Sequence, residues 1–325
     1  MLLEEMRNRL GRTLMTVLAV AAATGLLISM LSVAEGVRLA VTTEIERSKQ
    51  DLLVTAAGET SIEQGHRLAD ELSVFPGIAA TMPTQWAVNP ALLFNTTGGA
   101  FGSAFGVGVE PRRLEQFLDA SRTFNVFGIP INFTEDQWFA VPDDPHYADG
   151  RYDGPWSDEI LASRQFSTDL GVQLGDPVRL SRAANLPGRE MRVVGFFDLP
   201  FLESALFEPY AVVLHLSELQ SLLEVDMSGD RTVDAIDAIS IQLTQEYRTD
   251  PELVRALQTE LREQYPYFQV ISRQDQLDYV QDSSGVGQGF YTALGSVALV
   301  IGLLFLATVM IMNVSERTNE IGVKR

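Results

Sequence analysis

Two apolar runs without a single charge stand near the ends of the chain, at residues 13–34 (22 residues) and 290–313 (24 residues). A bilayer's hydrocarbon core takes about 20 helical residues to cross, so each run predicts a transmembrane helix. A basic start and small residues around Ala19-Val20-Ala21 also fit a cleaved leader, but the first run continues to Ala34, longer than the apolar part of such a leader, which favours a retained span. Within the spans, Ala21, Gly25 and Ser29, and again Ala298 and Gly302, are four apart. They place small residues on one helix face, where a neighbouring helix can approach, although small residues are common in membrane helices anyway. Ahead of the first span, Leu2, Leu3, Met6 and Leu10 fall at helical spacing, so residues 1–12 read as a short helix in the inner interface.

The stretch between the runs, residues 35–289, is polar and folds by other patterns. A polar helix continues over 35–49, followed by a strand at 51–56 and an amphipathic helix at 61–73 whose apolar positions are Ile62, Leu68 and Leu72. Phe75-Pro76-Gly77 stops that helix. Strands follow at 78–95 and 104–109, separated by the glycine-rich turn 98–102. The pattern recurs late in the chain: a strand at 238–243, a helix at 251–264 with Pro251 at its start and Leu253, Leu257 and Leu261 on one face, and a strand at 268–272. The two ends therefore predict one α+β subdomain built from about 50–113 and 234–273. Residues from about 114 to 224 read as a mostly β insertion, with strands at 177–181, 191–197 and 210–214 and a helix at 160–170. Residues 225–233 form a polar linker, and 275–289 end in Gly285, Gly287 and Gly289 as a lead into the second span. The fold class that results is a membrane protein with two transmembrane helices flanking a large α+β domain at 35–289.

Charge gives the orientation. The flanks 1–12 and 314–325 hold six basic and four acidic residues, leaving 18 basic and 39 acidic residues between them. Short basic flanks stay in the cytoplasm, which places both termini inside the cell membrane and the large domain outside. So acidic a domain is not expected to bind nucleic acid or anionic headgroups by itself, and membrane lipids are expected as partners of the two spans. Lysine is confined to Lys49 and Lys324, as either a high-salt habitat or a GC-rich genome would leave it. The absence of cysteine excludes disulfides and thiolate metal sites.

Little else suggests chemistry. Neither lysine follows a phosphate-binding glycine loop, so no nucleotide site is expected, and no serine sits in a G-x-S-x-G elbow. His66, His146 and His215 form no paired ligand motif, and His215, after an apolar strand, reads as a surface or strand-end residue. Asp143-Asp144 and Asp234/Asp237 lack the spacing of a calcium loop. Gly98–Gly102 reads as a hairpin tip rather than a ligand loop, and Phe124, Phe127, Ile129 and Phe133 as core rather than a partner-binding patch. No catalytic, cofactor or metal residue is assigned.

The strongest motif follows the second run: Met312-Asn313-Val314-Ser315-Glu316-Arg317-Thr318-Asn319-Glu320-Ile321-Gly322-Val323-Lys324-Arg325. It resembles the segment after the second span in FtsX/MacB-type ABC transporter permeases, where an S-x-x-E-R-T-x-E-I-G-x-x-R/K run leads into a coupling helix. The E-R-T-x-E-I-G part is intact, and the serine stands one residue nearer the glutamate. Residues 158–197, with L-G-x-x-x-G-D and a closing V-V-G, resemble the family's extracytoplasmic core domain, and Asp149-Gly150-Arg151 and Ser217–Leu223 fit as well.

The resemblance implies a permease subunit that transmits ATPase-driven motion through the membrane to its outer domain, for export or mechanotransmission. It implies Glu316, Arg317, Thr318, Glu320, Ile321 and Gly322 as contacts of a cytoplasmic ABC ATPase subunit, which binds the ATP. It further implies a second permease copy and an extracytoplasmic partner. The family's permeases carry two more spans after the coupling segment, so a chain ending at Arg325 is expected to be a fragment, a split gene product or a truncated form. The alternative is a two-span sensor or scaffold with a ligand-binding ectodomain, against which stands the lack of any visible signalling module. An outward-facing enzyme lacks a nucleophile or metal constellation.

Overall fold

The computed structural model describes residues 38–58, 61–126, 129–134, 137–147, 151–199, 210–224 and 234–282, with isolated helical positions before 38 and after 307. No helix among the described residues is long and apolar enough to cross a membrane. The expected spans at 13–34 and 290–313 lie largely outside the described residues, as do the interfacial helix at 1–12 and, apart from Val314, the coupling segment at 314–325. The chain divides into two units, one made of residues 1–42 and 277–325 and the other of residues 43–276. In the first, the large apolar side chains Ile28, Leu39, Met310, Ile311 and Val314 are exposed.

The second unit contains β1 (Leu52–Ala56), β2 (Ile62–Glu63), α1 (Gly65–Ser73), β3 (Ile78–Thr96), β4 (Phe101–Val109), α2 (Pro111–Phe117), β5 (Thr123–Val126) and β6 (Ile129–Phe133). It continues with β7 (Glu159–Ser163), α3 (Arg164–Leu170), β8 (Pro177–Ser181), β9 (Arg189–Asp198), β10 (Ala211–His215) and α4 (Leu216–Glu224). It closes with β11 (Ala235–Ile236), β12 (Ala238–Leu243), α5 (Gln245–Thr249), α6 (Pro251–Gln264) and β13 (Phe268–Ser272). Eleven strands form one sheet in the order β13-β1-β12-β3-β4-β10-β7-β9-β6-β5, with β8 beside β3 and β9; β11 and β2 pair separately.

Strand β3 joins the two halves of this sheet. Its beginning, Ile78 to Thr84, pairs with β12, and its remainder pairs with β4 and β8. A 19-residue strand is far longer than the usual five or six residues. It is interrupted where Val88 to Ala91 stand opposite the single residue Phe105, a bulge in the pairing. The subdomain boundary expected near residue 113 therefore does not separate two sheets. Strand β4 lies on the insertion's side, and β3 belongs to both.

Three apolar cores hold the unit. Leu52, Val54, Leu68, Leu72, Ile239, Ile241, Leu257, Leu261 and Val270 pack between the chain-end strands and helices α1 and α6. In the insertion, successive residues of β10 serve opposite faces: Val213 joins Leu161, Val107 and Phe197, whereas Val212 and Leu214 join Ile160, Ala162 and Phe94. Phe124 and Phe133 pack in the first of these two cores; Phe127 lies outside the described residues.

Burial on both faces explains two departures from expectation. The helix expected over 160–170 is strand β7 followed by α3, because Ile160, Leu161 and Ala162 are all covered and leave no period-2 alternation to read. His215 does end its strand, but it is fully buried rather than at the surface. The amphipathic helix expected from residue 61 opens only at Gly65, since Ile62 and Glu63 pair with β11. Helix α3 ends at Gly171, whose φ of 69° allows its N–H to reach the Ser167 carbonyl while the Val172 N–H reaches that of Phe166. This left-handed helix end favours glycine.

Candidate functional site

The chain enters unit 43–276 through Ser48–Asp51 and leaves it through Ser272–Asp275, and one carboxylate holds both segments together. Asp51 directly precedes the apolar strand β1, which carries its side chain into the interior; it is 5% exposed. Its backbone N–H donates to the Ile241 carbonyl at 2.9 Å, and its carbonyl accepts from the Arg273 N–H at 3.0 Å. Its carboxylate accepts from the Leu243 N–H at 2.8 Å, from Arg248 Nη2 at 2.7 Å and Nε at 3.1 Å, and from Arg273 Nη2 at 2.7 Å. Arg273 also donates to the Ser48 carbonyl at 2.7 Å, and Ser240 Oγ donates to Gln50 Oε1 at 3.0 Å.

A buried carboxylate is costly unless its lone pairs are filled. Here both oxygens are filled by donors from three different segments. Burial, together with the neighbouring Arg248, pulls the Arg273 guanidinium below its ordinary pKa despite Asp51.

The segment leaving the unit starts a helix at Arg273. Ser272 Oγ accepts from the Asp275 N–H at 3.1 Å, and Asp275 Oδ2 accepts from the Ser272 N–H at 2.8 Å. This reciprocal cap satisfies two backbone donors. Asp275 also accepts from Gln258 Nε2 at 2.7 Å, which ties the cap to α6. These bonds, and the burial that pulls against them, leave the Asp275 carboxyl below its usual range. The arrangement is a network of charge-assisted hydrogen bonds. These bonds link the two segments to β1, β12 and α6.

The residues assigned from sequence as ATPase contacts, Glu316, Arg317, Thr318, Glu320, Ile321 and Gly322, lie outside the described residues. Gly98 and Gly99 occupy the β3–β4 turn, with Phe101 beside it exposed. Among the described residues no group of three His, Asp or Glu side chains is arranged to hold a metal. Asp144 and Asp234, whose spacing fits no calcium loop, lie within a second buried polar centre around His66. Sequence reading missed both centres. The available signal was the position of Asp51 and Arg273 at the outer ends of two apolar strands, where a charge can turn inward only if it finds a partner.

Residues 13–264 match the family model of the MacB-like periplasmic core domain. No curated protein matches the sequence. Among solved structures, the chain is similar to the periplasmic region of MacB from Actinobacillus actinomycetemcomitans, at 12% identity and a TM-score of 0.47, covering 75% of this chain and 96% of that one. It is also similar to a domain of a protein described as a permease from Porphyromonas gingivalis, at 14% identity and a TM-score of 0.40, covering 68% of this chain and 89% of that one. The family model spans most of the chain, including nearly all of the α+β unit, and the chain belongs to the MacB-like periplasmic core domain family of ABC-transporter-type permeases.

Proposed function

We propose that this chain is a mechanotransmitting permease subunit in which the Asp51 junction passes movement from the membrane into the outer domain. The observation that carries this reading is the convergence on one buried carboxylate of the segment entering the domain, the segment leaving it and the α5 arginine Arg248. A rigid joint at this place makes the domain respond to its two connections together. ATP is hydrolysed by a separate cytoplasmic ATPase subunit, and the coupling residues Glu316, Arg317, Thr318, Glu320, Ile321 and Gly322 dock on it. In that groove the two glutamates and the arginine make charge-assisted contacts and Ile321 supplies an apolar anchor. A second permease copy and an extracytoplasmic partner complete the assembly, and this chain itself carries no catalytic group or cofactor.

The test is co-purification of the ATPase from native membranes with the wild-type chain and with the Glu316→Lys, Arg317→Glu double variant. The charge reversal is expected to abolish association. Association and ATPase activity equal to wild type would overturn the reading.

A further inference from the structure

The second buried centre lies where the chain-end half of the domain meets the insertion. His66 stands in the first turn of α1 and is 4% exposed. Helix α1 opens without a side-chain cap from its own N-terminal neighbour, Gln64, which is left-handed at φ 56°. The missing acceptor comes from Asp234, at the start of β11. Its carboxylate accepts from the His66 N–H at 3.2 Å, and its carbonyl from the Gly65 N–H at 3.1 Å. Gly65 permits this approach, because a Cβ there would lie 2.6 Å from Ile236 side-chain carbons.

The His66 ring is held on both edges and one face. Nδ1 lies 2.7 Å from Asp234 Oδ1, which fixes it as the protonated nitrogen, since a carboxylate only accepts. The ring stacks on Tyr147 at 3.9 Å and 8°, and Tyr152 meets it edge-on. On the other edge, Nε2 faces Glu110 Oε1 at 4.0 Å. Both atoms are buried and neither has a hydrogen-bond partner.

With a neutral ring and an ionised Glu110, two lone pairs would face each other out of reach of water, an arrangement that costs the desolvation of both groups. One proton resolves it, carried either on Nε2 or on Glu110. The remaining charged and titratable groups around the ring favour retaining it. Asp144, held by the Ser217 N–H and hydroxyl, adds negative charge from the insertion loop, and Tyr152 donates to Gln220 of α4. The Arg113 guanidinium is shared between Glu110 at 2.7 Å and Asp70 of α1 at 2.6 Å.

We propose that the facing His66 and Glu110 groups retain one proton between them as a close ion pair or neutral pair, and that this proton fastens β11 and the insertion loop carrying Tyr147 and Tyr152 onto helix α1, so that the acidity outside the membrane sets how firmly the two halves of the domain hold together. The electrostatics agree with this geometry. Burial pulls the His66 imidazole down, but Asp234, with Glu110 and Asp144, outweighs it and leaves the pKa above the ordinary value. Burial pushes the Glu110 carboxyl up, against the pull of Arg113 and His66. Asp234 is kept below the usual range because His66 outweighs its burial. The folded chain thus retains protons that an unfolded chain would release, and the fastening weakens as pH rises through the raised His66 value.

The experiment uses the full chain in detergent micelles. Imidazole carbon-labelled histidine gives signals from His66, His146 and His215, and a His66→Gln variant assigns the first. Amide hydrogen exchange at residues 62–66 and 234–236 is followed from pH 6 to 8, corrected for intrinsic exchange. His66 is expected to titrate above the ordinary imidazole value of about 6.5, with local opening rising about tenfold across its titration. In Glu110→Gln the amide can donate to Nε2 without an added proton, so protection at pH 8 is expected to persist and its pH dependence to vanish. A His66 titration at or below the ordinary value overturns the proposal, even if Glu110→Gln does not fold. An unchanged pH dependence in a folded Glu110→Gln overturns it as well.

Discussion

The Asp51 junction and the His66 centre are both buried, polar and built from segments far apart in sequence, yet they are completed differently. At Asp51 every incoming group is a donor, and the carboxylate is satisfied by backbone and guanidinium N–H groups alone. At His66 two acceptor-capable atoms face each other, and the missing component is a proton from solvent. A joint of the first kind is fixed by the sequence that made it, whereas one of the second kind depends on the medium. Under the proposed function, the first suits the segments through which movement would enter the domain. The second suits an internal contact whose firmness varies with conditions.

The largest expected effect is at the junction. Asp51→Ala removes the shared acceptor and leaves Arg248 and Arg273 facing each other half-buried. Breaking a buried pair this way costs about 3–5 kcal/mol, which denaturant unfolding of the full chain would measure. A loss below about 1 kcal/mol, the range of surface ion pairs, would show that water already shares the site and would end the contrast with His66.

A smaller effect, confined to pH, sharpens the other side. Glu218 of α4 is fully buried and accepts from the Ser157 and Asp158 N–H groups, while its other oxygen has no partner. Burial pushes its carboxyl up to about 7 despite the Ser157 hydrogen bonds. The folded state therefore binds a proton that the unfolded state releases, and stability is lost as pH rises from the ordinary glutamate range through about 7. Glu218→Gln preserves the acceptor for Ser157 and removes the titration. It is expected to flatten the decline in stability between pH 5 and 8 by on the order of 1–3 kcal/mol, read from unfolding midpoints at several pH values. A profile as steep as wild type would assign the whole decline to the His66 centre.

The chain-end half of the fold was the more legible half. Strand β12, helix α6 and strand β13 match the ranges read from pattern, because their large apolar residues keep the period of their element: Ile239, Ile241 and Leu243 alternate along β12, and Leu257 and Leu261 lie four apart on α6, all in one core with Val270 of β13. The insertion hid β7 because both of its faces are covered, so the short apolar run Ile160–Ala162 looked like the start of α3. The long β3 was legible as a strand, but its passage from one sheet half to the other was not, since pairing partners leave no local trace. Neither polar centre was legible for the same reason. Asp51 meets Arg248 and Arg273 across 197 and 222 residues, and His66 meets Asp234 across 168. A single sequence records that these residues are charged, and folding supplies the meeting.

The smallest effect tests whether the junction ends at Asp51 or extends into the helix that leaves it. Ser272→Ala removes the acceptor for the Asp275 N–H but leaves both arginine contacts of Asp51 intact. Loss of such a cap costs about 1 kcal/mol, roughly a fivefold rise in opening. If the cap is part of the joint, amide exchange accelerates at 273–276 and also at β1 and β12, because Arg273 N–H and side chain both reach the Asp51 segment. Acceleration limited to 273–276 would confine the joint to the two arginines and their carboxylate, and the helix start would then be a frayed end that the knot tolerates rather than a member of it.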